Sequence, residues 1–161
     1  MGFRIGHGFD VHQLKAGLPL FLGGIKIEHD KGCVAHSDGD VLIHAISDAL
    51  LGALALGDIG KFFPDSDECY RGIDSKILLF KVMQMIRGKD YEVSNVDATI
   101  SMQRPKLRPY IDLMREKLAE VMNIPVENIS IKATTTEHMG FEGEERGVSV
   151  TAVCILEQIK H

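Results

Sequence analysis

Asp10, His12 and His44 are the residues of this chain best suited to metal chemistry. They stand in two short segments, Gly6-His7-Gly8-Phe9-Asp10-Val11-His12 and Ala35-His36-Ser37-Asp38-Gly39-Asp40, the second running on to His44. Asp10 and His12 lie two residues apart in an apolar stretch that reads as a strand. A period of two puts both side chains on one face, roughly 6.6 Å apart along the strand. One carboxylate oxygen and two imidazole nitrogens suit zinc or another divalent transition metal. Three protein ligands leave the fourth tetrahedral position open, as in catalytic sites. D-x-H is a short pattern, and its spacing equally suits two half-buried surface histidines and a turn aspartate.

Four further segments offer chemistry of a related kind. His36 and Ser37 stand just before a helix, where backbone N–H groups, a hydroxyl and an imidazole could meet an anion; a capping turn has the same composition. Asp58-Ile59-Gly60-Lys61-Phe62-Phe63-Pro64-Asp65-Ser66-Asp67 sets carboxylates beside two phenylalanines, as solvated turn acids or as a substrate flap. Gln103-Arg104-Pro105-Lys106-Leu107-Arg108 is the one concentrated basic patch, between a strand end and a helix start. Ala133-Thr134-Thr135-Thr136-Glu137 leaves a strand with three hydroxyls and a carboxylate, oxygen donors of the kind Mg²⁺ takes alongside substrate phosphates. Together these suit phosphoryl transfer, where a protein mostly positions groups and offsets charge. The sequence holds no G-x-x-x-x-G-K-[ST], no nucleophile elbow and no H-E-x-x-H.

The elements that must position these residues follow from periodicity. Phe3 to Leu14 and Leu18 to Ile27 are two apolar runs about Lys15-Ala16-Gly17, expected as a hairpin, with Gly23 and Gly24 as a bulge in its second strand. Residues 28–37 are expected as a loop. Asp38 or Asp40 opens a helix to about Leu56, with Asp38 a candidate N-cap and Gly57 a candidate stop. In that helix Asp40, His44 and Asp48 recur every four residues as a narrow polar stripe on a mostly apolar cylinder. An ordinary surface helix would show a wide Lys- and Glu-rich face instead. Residues 57–74 read as a long irregular loop, Ser75 to Lys89 as a helix, and Tyr91 to Met102 as a strand. Pro109 to Met122 reads as an amphipathic helix, Ile129 to Ala133 as a strand, 134–146 as a loop, and Gly147 to Ile159 as a closing strand. The order β-β-α-α-β-α-β-β predicts an α+β fold. Its mixed sheet carries helices on one face, a two-layer sandwich related to the ferredoxin-like arrangement.

Composition narrows the function classes. The length of 161 residues suits a single domain over 1–161. The formal charge of −5 disfavours nucleic acid, which needs a concentrated positive footprint. Cys33, Cys69 and Cys154 are widely spaced and form no C-x-x-C pair, which points to reduced thiols in the cytoplasm. The first residues carry no apolar signal core, and the longest apolar tract, Ala49 to Leu56, is far too short to span a bilayer.

The residues then match a known family. R-I-G-H-G-F-D-V-H, A-H-S-D-G-D-V-L-I-H, A-L-G-D-I-G-K-F-F-P-D-S-D, D-S-K-I-L-L, N-V-D-A-T-I, P-K-L and I-K-A-T-T-T-E-H-M-G-F run through nearly the whole chain in order. The chain thereby closely resembles the 2-C-methyl-D-erythritol 2,4-cyclodiphosphate synthases of the non-mevalonate isoprenoid pathway. The resemblance implies a homotrimer with active sites between subunits. It implies a reaction in which the 2-phosphate of 4-diphosphocytidyl-methylerythritol 2-phosphate attacks the β-phosphate and CMP leaves. Asp10, His12 and His44 resemble the zinc ligands. Glu137 resembles the carboxylate that reaches Mg²⁺ (or Mn²⁺) on the diphosphate. His36 and Thr135, with Glu137, resemble the catalytic groups. Ser37, Asp58, Ile59, Gly60, Phe63, Pro64, Asp65, Ser66 and Asp67 resemble the methylerythritol pocket and flap. Met102, Gln103, Arg104, Pro105, Lys106, Leu107 and Arg108, with Ala133, Thr134 and Thr135, resemble the cytidine pocket. Thr136 and Phe141 complete the implied substrate contacts, and Asp40 and Asp48 resemble supports on the helix face.

One stretch departs from the pattern. Where the family usually reads G-F-x-G-R-x-E-G, this chain reads Gly140-Phe141-Glu142-Gly143-Glu144-Glu145-Arg146-Gly147. The usual arginine, near an axial cavity where isoprenoid diphosphates bind beside the residue matching Phe9, falls at Glu144. On a strand, 144 and 146 share a face, so Arg146 is expected to replace it. Two other readings use the same residues. One is a zinc phosphodiesterase or other hydrolase that activates water; the other is a non-catalytic trimer that stores metal or binds isoprenoid diphosphate.

Overall fold

β1 (Phe3–Ala16) presents different residues on its two sides. Gly6, Gly8, Asp10, His12 and Leu14 turn inward; Phe3, Ile5, His7, Phe9 and Val11 turn out. A five-stranded sheet is built around β1 in the order β4-β1-β7-β5-β6. β7 (Gly147–Gln158) lies antiparallel between β1 and β5 (Tyr91–Ser101), with Asp10 opposite Val150 and His12 opposite Val148. β6 (Ile129–Thr134) runs parallel to β5 at one edge, and β4 (Lys31–Cys33) pairs with the end of β1 at the other. The sheet is therefore mixed, as expected. The computed structural model describes residues 2–160.

α1 (Val41–Ala53), α3 (Ser75–Arg87) and α4 (Ile111–Met122) cover the inner face. Val148, Val150, Ala152, Cys154 and Leu156 of β7 are buried there with Leu42, Ile46 and Leu50 of α1, Leu79 and Met83 of α3, and Met114 and Leu118 of α4. Two glycines set how closely α1 lies on β1. A Cβ on Gly6 would stand 1.8 Å from the Ala49 carbonyl oxygen, and one on Gly8 would stand 1.9 Å from that of Ala45. Only glycine permits this backbone-to-backbone approach, and it brings His44 down onto Asp10 and His12. Among the described residues no helix is long and apolar enough to cross a membrane.

Several expected boundaries move. Leu18 to Ile27 is not a partner of β1. It folds on itself as β2 (Leu20–Leu22) and β3 (Ile25–Ile27), because Gly23 and Gly24 both take positive φ (+63° and +77°). Two successive positive-φ residues make a tight two-residue hairpin turn rather than a bulge. The place expected for that strand beside β1 is taken by β4, from within the segment read as a loop. α1 starts at Asp40, not Asp38, since the Asp40 carboxylate accepts the Ile43 amide. It ends at Ala53, and Ala55 (φ 55°) rather than Gly57 first leaves the right-handed region. The 57–74 segment holds a short helix α2 (Ile59–Phe62) and a 3₁₀ turn at Glu68–Tyr70; the 134–146 segment holds α5 (Gly140–Gly143).

Candidate metal centre

The inner face of β1 and the first turns of α1 bring three donor atoms to one point. Asp10 Oδ2 lies 3.1 Å from His12 Nε2 and 3.2 Å from His44 Nδ1, and the two imidazole nitrogens are 3.1 Å apart. Ligands at the bond lengths of a tetrahedral zinc site stand about 3.3–3.4 Å from one another. The triangle is within a few tenths of an ångström of that edge, so these residues could hold one metal ion. The strand and helix expected from sequence thus bring together the three residues expected to meet. Asp10 Oδ1 accepts the Val11 amide, which leaves Oδ2 directed at the histidines.

Electrostatics prepares the carboxylate. Burial pushes the Asp10 pKa up, but hydrogen bonds and charge from His12 and His44 outweigh burial and hold it well below the usual carboxylate range. His44 shows the converse. Its burial favours the neutral ring, yet Asp10 prevails and raises its pKa, with Asp40 and Asp38 adding to the effect. A metal binding here would compete with a proton for the His44 ring.

The tripod forms one wall of a cavity of about 460 Å³. His36, Ser37, Asp48, Asp58, Ile59, Gly60, Phe63, Pro64 and Asp65 line it too, so most of the expected flap converges here. Asp48 Oδ1 accepts the Ile59 amide at 2.8 Å and so pins the start of α2 to α1. His36 Nε2 faces the Asp67 carbonyl at 3.2 Å, and the Asp67 carboxylate caps the following 3₁₀ turn. Ser66 and Asp67 do not line this cavity.

A second cavity of about 930 Å³ is lined by Met102, Gln103, residues 105–109, Ile111, Asp112 and 131–135. It gathers the expected nucleotide-binding segments on the edge strand β6. Arg104 is the exception: its Nε donates to Glu145 Oε1 at 2.7 Å, away from that wall. Glu137 is exposed beyond β6 with φ 54°, its amide donating to Thr135 Oγ1, while Thr136 Oγ1 donates to the Met139 carbonyl. Phe141 borders a third hollow with His12 and Arg146. Residues 144–146 form a turn ahead of β7, not a strand; the oppositely charged pair still forms there, with Arg146 Nε donating to Glu144 Oε2 at 2.7 Å.

Two roles emerge only from the packing. The Asp40 side chain, expected as a support on the helix face, does not contact the His44 ring. Its fully buried carboxylate accepts the Gly23, Gly24 and Ile43 amides, tying the β2–β3 turn to α1. The partners of His44 Nε2 are Ser75 Oγ at 3.0 Å and Ser37 Oγ at 3.2 Å, and behind Ser75 stands Asp38. Ser75 had its place at a helix start and the D-S-K-I-L-L match as signals, neither of which points to His44, because the contact depends on α3 packing against α1.

Comparison with known proteins finds relatives along nearly the whole chain. The family model described as "YgbB family" matches residues 3–157. A protein of Porphyromonas gingivalis named 2-C-methyl-D-erythritol 2,4-cyclodiphosphate synthase is 59% identical over 154 residues, covering 96% of this chain and 95% of that one. One of the same name from Ectopseudomonas mendocina is 57% identical, covering 95% and 98%. Among solved structures, the bifunctional IspDF from Campylobacter jejuni superposes with a TM-score of 0.95 at 38% identity. The match covers 99% of this chain, which spans 43% of that longer one. The IspF–CDP complex of Plasmodium falciparum gives a TM-score of 0.88 at 34% identity, covering 99% and 98%.

Proposed function

Because the chain belongs to the YgbB family, we propose that it is a cyclising phosphoryl transferase of isoprenoid precursor biosynthesis. It converts 4-diphosphocytidyl-2-C-methyl-D-erythritol 2-phosphate to 2-C-methyl-D-erythritol 2,4-cyclodiphosphate and releases CMP. The observation that carries this reading is the triangle of Asp10, His12 and His44 donor atoms on the wall of a cavity.

The substrate brings its own nucleophile, so the protein's task is to hold attacker and target together. The cysteines fit that division of labour: burial pushes Cys33 up to about 12 and Cys154 to about 11, which keeps both as inert thiols. A zinc ion, or another divalent transition metal, on the tripod would supply a Lewis acid that orients a phosphate and draws off its charge. Asp10, held ionised, brings negative charge to the cation, while the neutral histidines add donors without further charge. His36 and Ser37 face the same cavity and would meet phosphate oxygens; Asp58 and Asp65 would accept from the methylerythritol hydroxyls. Glu137 would hold Mg²⁺ or Mn²⁺ on the diphosphate, an oxygen ligand for a hard cation, with Thr135 beside it. The cytidine would lie in the larger cavity, whose wall β6 is an edge strand, so that one row of its backbone groups faces away from the sheet and would read a base.

The two cavities share no lining residue. This reading joins them across the interface between neighbouring subunits of a homotrimer. The outer sheet face supports it: Phe3, Ile5 and Phe9 are 58%, 72% and 55% exposed, beside the exposed Val11 and Val153, and exposed apolar side chains grouped on one face suit an interface. An axial cavity beside Phe9, with Arg146 as its cation, would take an isoprenoid diphosphate.

The test is incubation of pure protein with the substrate and both metals. Equimolar CMP and a cyclic diphosphate formed without uptake of water are expected. A hydrated product would identify a hydrolase, and native turnover in His44→Ala would remove the metal from the mechanism. Light scattering checks the trimer.

A further inference from the structure

Both ring nitrogens of His44 are engaged, and the second one leads away from the cavity into the protein. Nδ1 is the nitrogen that faces Asp10 Oδ2 and His12 Nε2. Nε2 lies 3.0 Å from the hydroxyl of Ser75, the first residue of α3, which is itself fully buried. Ser75 Oγ stands 2.5 Å from Asp38 Oδ1, and the Ser75 amide donates to Asp38 Oδ2 at 2.9 Å. The Asp40 amide also donates to Asp38 Oδ1, at 3.1 Å.

The position of each hydrogen follows by elimination. Asp38 receives amide hydrogens on both of its oxygens and is therefore the acceptor, so the Ser75 hydroxyl donates to it. With its only hydrogen directed at Asp38, Ser75 Oγ presents lone pairs alone to the imidazole. His44 Nε2 must then carry a hydrogen and donate it. The neutral ring that a metal requires carries one hydrogen, so in that form Nδ1 is bare, and its lone pair points to the spot where Asp10 Oδ2 and His12 Nε2 converge. The opposite tautomer would put a hydrogen where a metal must bind and leave two lone pairs facing each other at Ser75.

We propose that Asp38 and Ser75 are positioning residues of the metal centre: a carboxylate–hydroxyl–imidazole chain that locks His44 into its Nδ1-ligating tautomer and fixes the plane of its ring. This rests on the tripod being a metal site. Metal-bound histidines generally donate their other N–H to an acceptor, and losing that acceptor lowers metal affinity about 10–100-fold. The chain also explains why a serine opens α3. Asp74 caps that helix by accepting the Lys76 amide, so Ser75 is not needed for capping, and its hydroxyl is free to serve His44. Backbone hydrogen bonds hold the acceptor in place from both sides: the Asp38 amide donates to the Ile73 carbonyl at 3.1 Å, and the Gly72 amide to the His36 carbonyl at 2.7 Å. Ser37 Oγ, at 3.2 Å from Nε2, has no carboxylate of this kind behind it; it accepts the Gly39 amide and borders the cavity.

The experiment measures zinc affinity by chelator competition in the full chain and in Ser75→Ala, Asp38→Asn and the double variant, with melting of each metal-free form recorded alongside. Each single variant is expected to bind zinc about 10–100-fold more weakly. The double variant should lose no more than the weaker-binding single, because both substitutions break one chain. A purely structural role would instead lower melting temperatures and leave affinity of the folded fraction unchanged, which would overturn the proposal. Fully additive losses in the double variant would overturn it as well. Long-range ¹H–¹⁵N spectra of the zinc-loaded unaltered protein need no variant to fold: a hydrogen on His44 Nε2 is expected, and zinc on Nε2 overturns the assignment. If the unaltered protein binds no zinc, the tripod reading fails first. Tight zinc in the unaltered protein with equal affinity in both single variants refutes the relay alone.

Discussion

Gly8→Ala should dismantle the metal centre without touching a ligand. The new Cβ would lie 1.9 Å from the Ala45 carbonyl oxygen and 2.9 Å from the Ala49 nitrogen, both main-chain atoms of α1 that no rotamer change can move. A tolerable C···O approach is about 3.4 Å, so α1 must withdraw from β1 by roughly 1.5 Å. His44 precedes Ala45 on that helix and withdraws with it. Its Nδ1, now 3.2 Å from Asp10 Oδ2, would move beyond about 4 Å, well outside the edge of a tetrahedral zinc site. Over-packing of this kind costs about 1–3 kcal/mol or more. Zinc affinity should fall more than about 100-fold, because a ligand is lost rather than an outer hydrogen bond. Gly52→Ala is the control on the same helix: its Cβ would meet nothing closer than the His7 oxygen at 3.8 Å. That variant should keep its zinc and gain up to about 1 kcal/mol from helix propensity. Zinc per chain after dialysis against a chelator, with thermal melting, reads both. Stoichiometric zinc and an unchanged midpoint in Gly8→Ala would refute the argument that these glycines set the ligand geometry.

Three other outcomes are expected. His44 has its pKa raised above the ordinary 6.5, burial opposing the shift and Asp10 carrying it. In the metal-free protein the protonated ring therefore adds stability that is complete below the unfolded value and lost as pH rises through the raised one. Zinc competes with that proton, so its affinity should weaken as pH falls from about 8 to about 6 while metal-free melting improves; an affinity flat over that range would contradict this. Asp40→Ala strands three amides and removes the cap of α1, which should cost about 3–5 kcal/mol and lower the melting temperature by roughly 10 °C; a loss below about 1 kcal/mol by denaturant titration would count against it. Glu137→Gln should weaken the Mg²⁺ dependence of CMP release and leave zinc content intact, and zinc loss in that variant would show the assignment to be wrong.

The centre was legible in the sequence because its geometry is local. Asp10 and His12 share a face through strand alternation alone, and the Asp40–His44–Asp48 spacing marked α1 as the partner helix. What long-range packing decides was not legible. The place beside β1 went to the three-residue β4 instead of the stronger apolar run at 18–27, because the turn at Gly23-Gly24 closes that run on itself. Asp40 stands in the polar stripe of α1 with His44, yet the turn amides that claim its carboxylate come from a segment 16 residues or more away. Ser75 could not be singled out by any local pattern, since its role exists only once α3 lies against α1. Strand alternation would put Glu144 and Arg146 on one face, yet the strand starts only at Gly147 and the two pair in the turn before it.

The two-sidedness of β1 ties together properties that would otherwise vary independently. Deleting or inserting one residue between Phe3 and His12 would exchange the strand's faces. Depending on which side of the change keeps its register, it would send the Asp10 carboxylate and the His12 imidazole outward or drive phenylalanine and isoleucine side chains against the backbone of α1. Length changes in this strand should therefore be forbidden in descendants of this protein, whereas point substitutions within either face could accumulate separately.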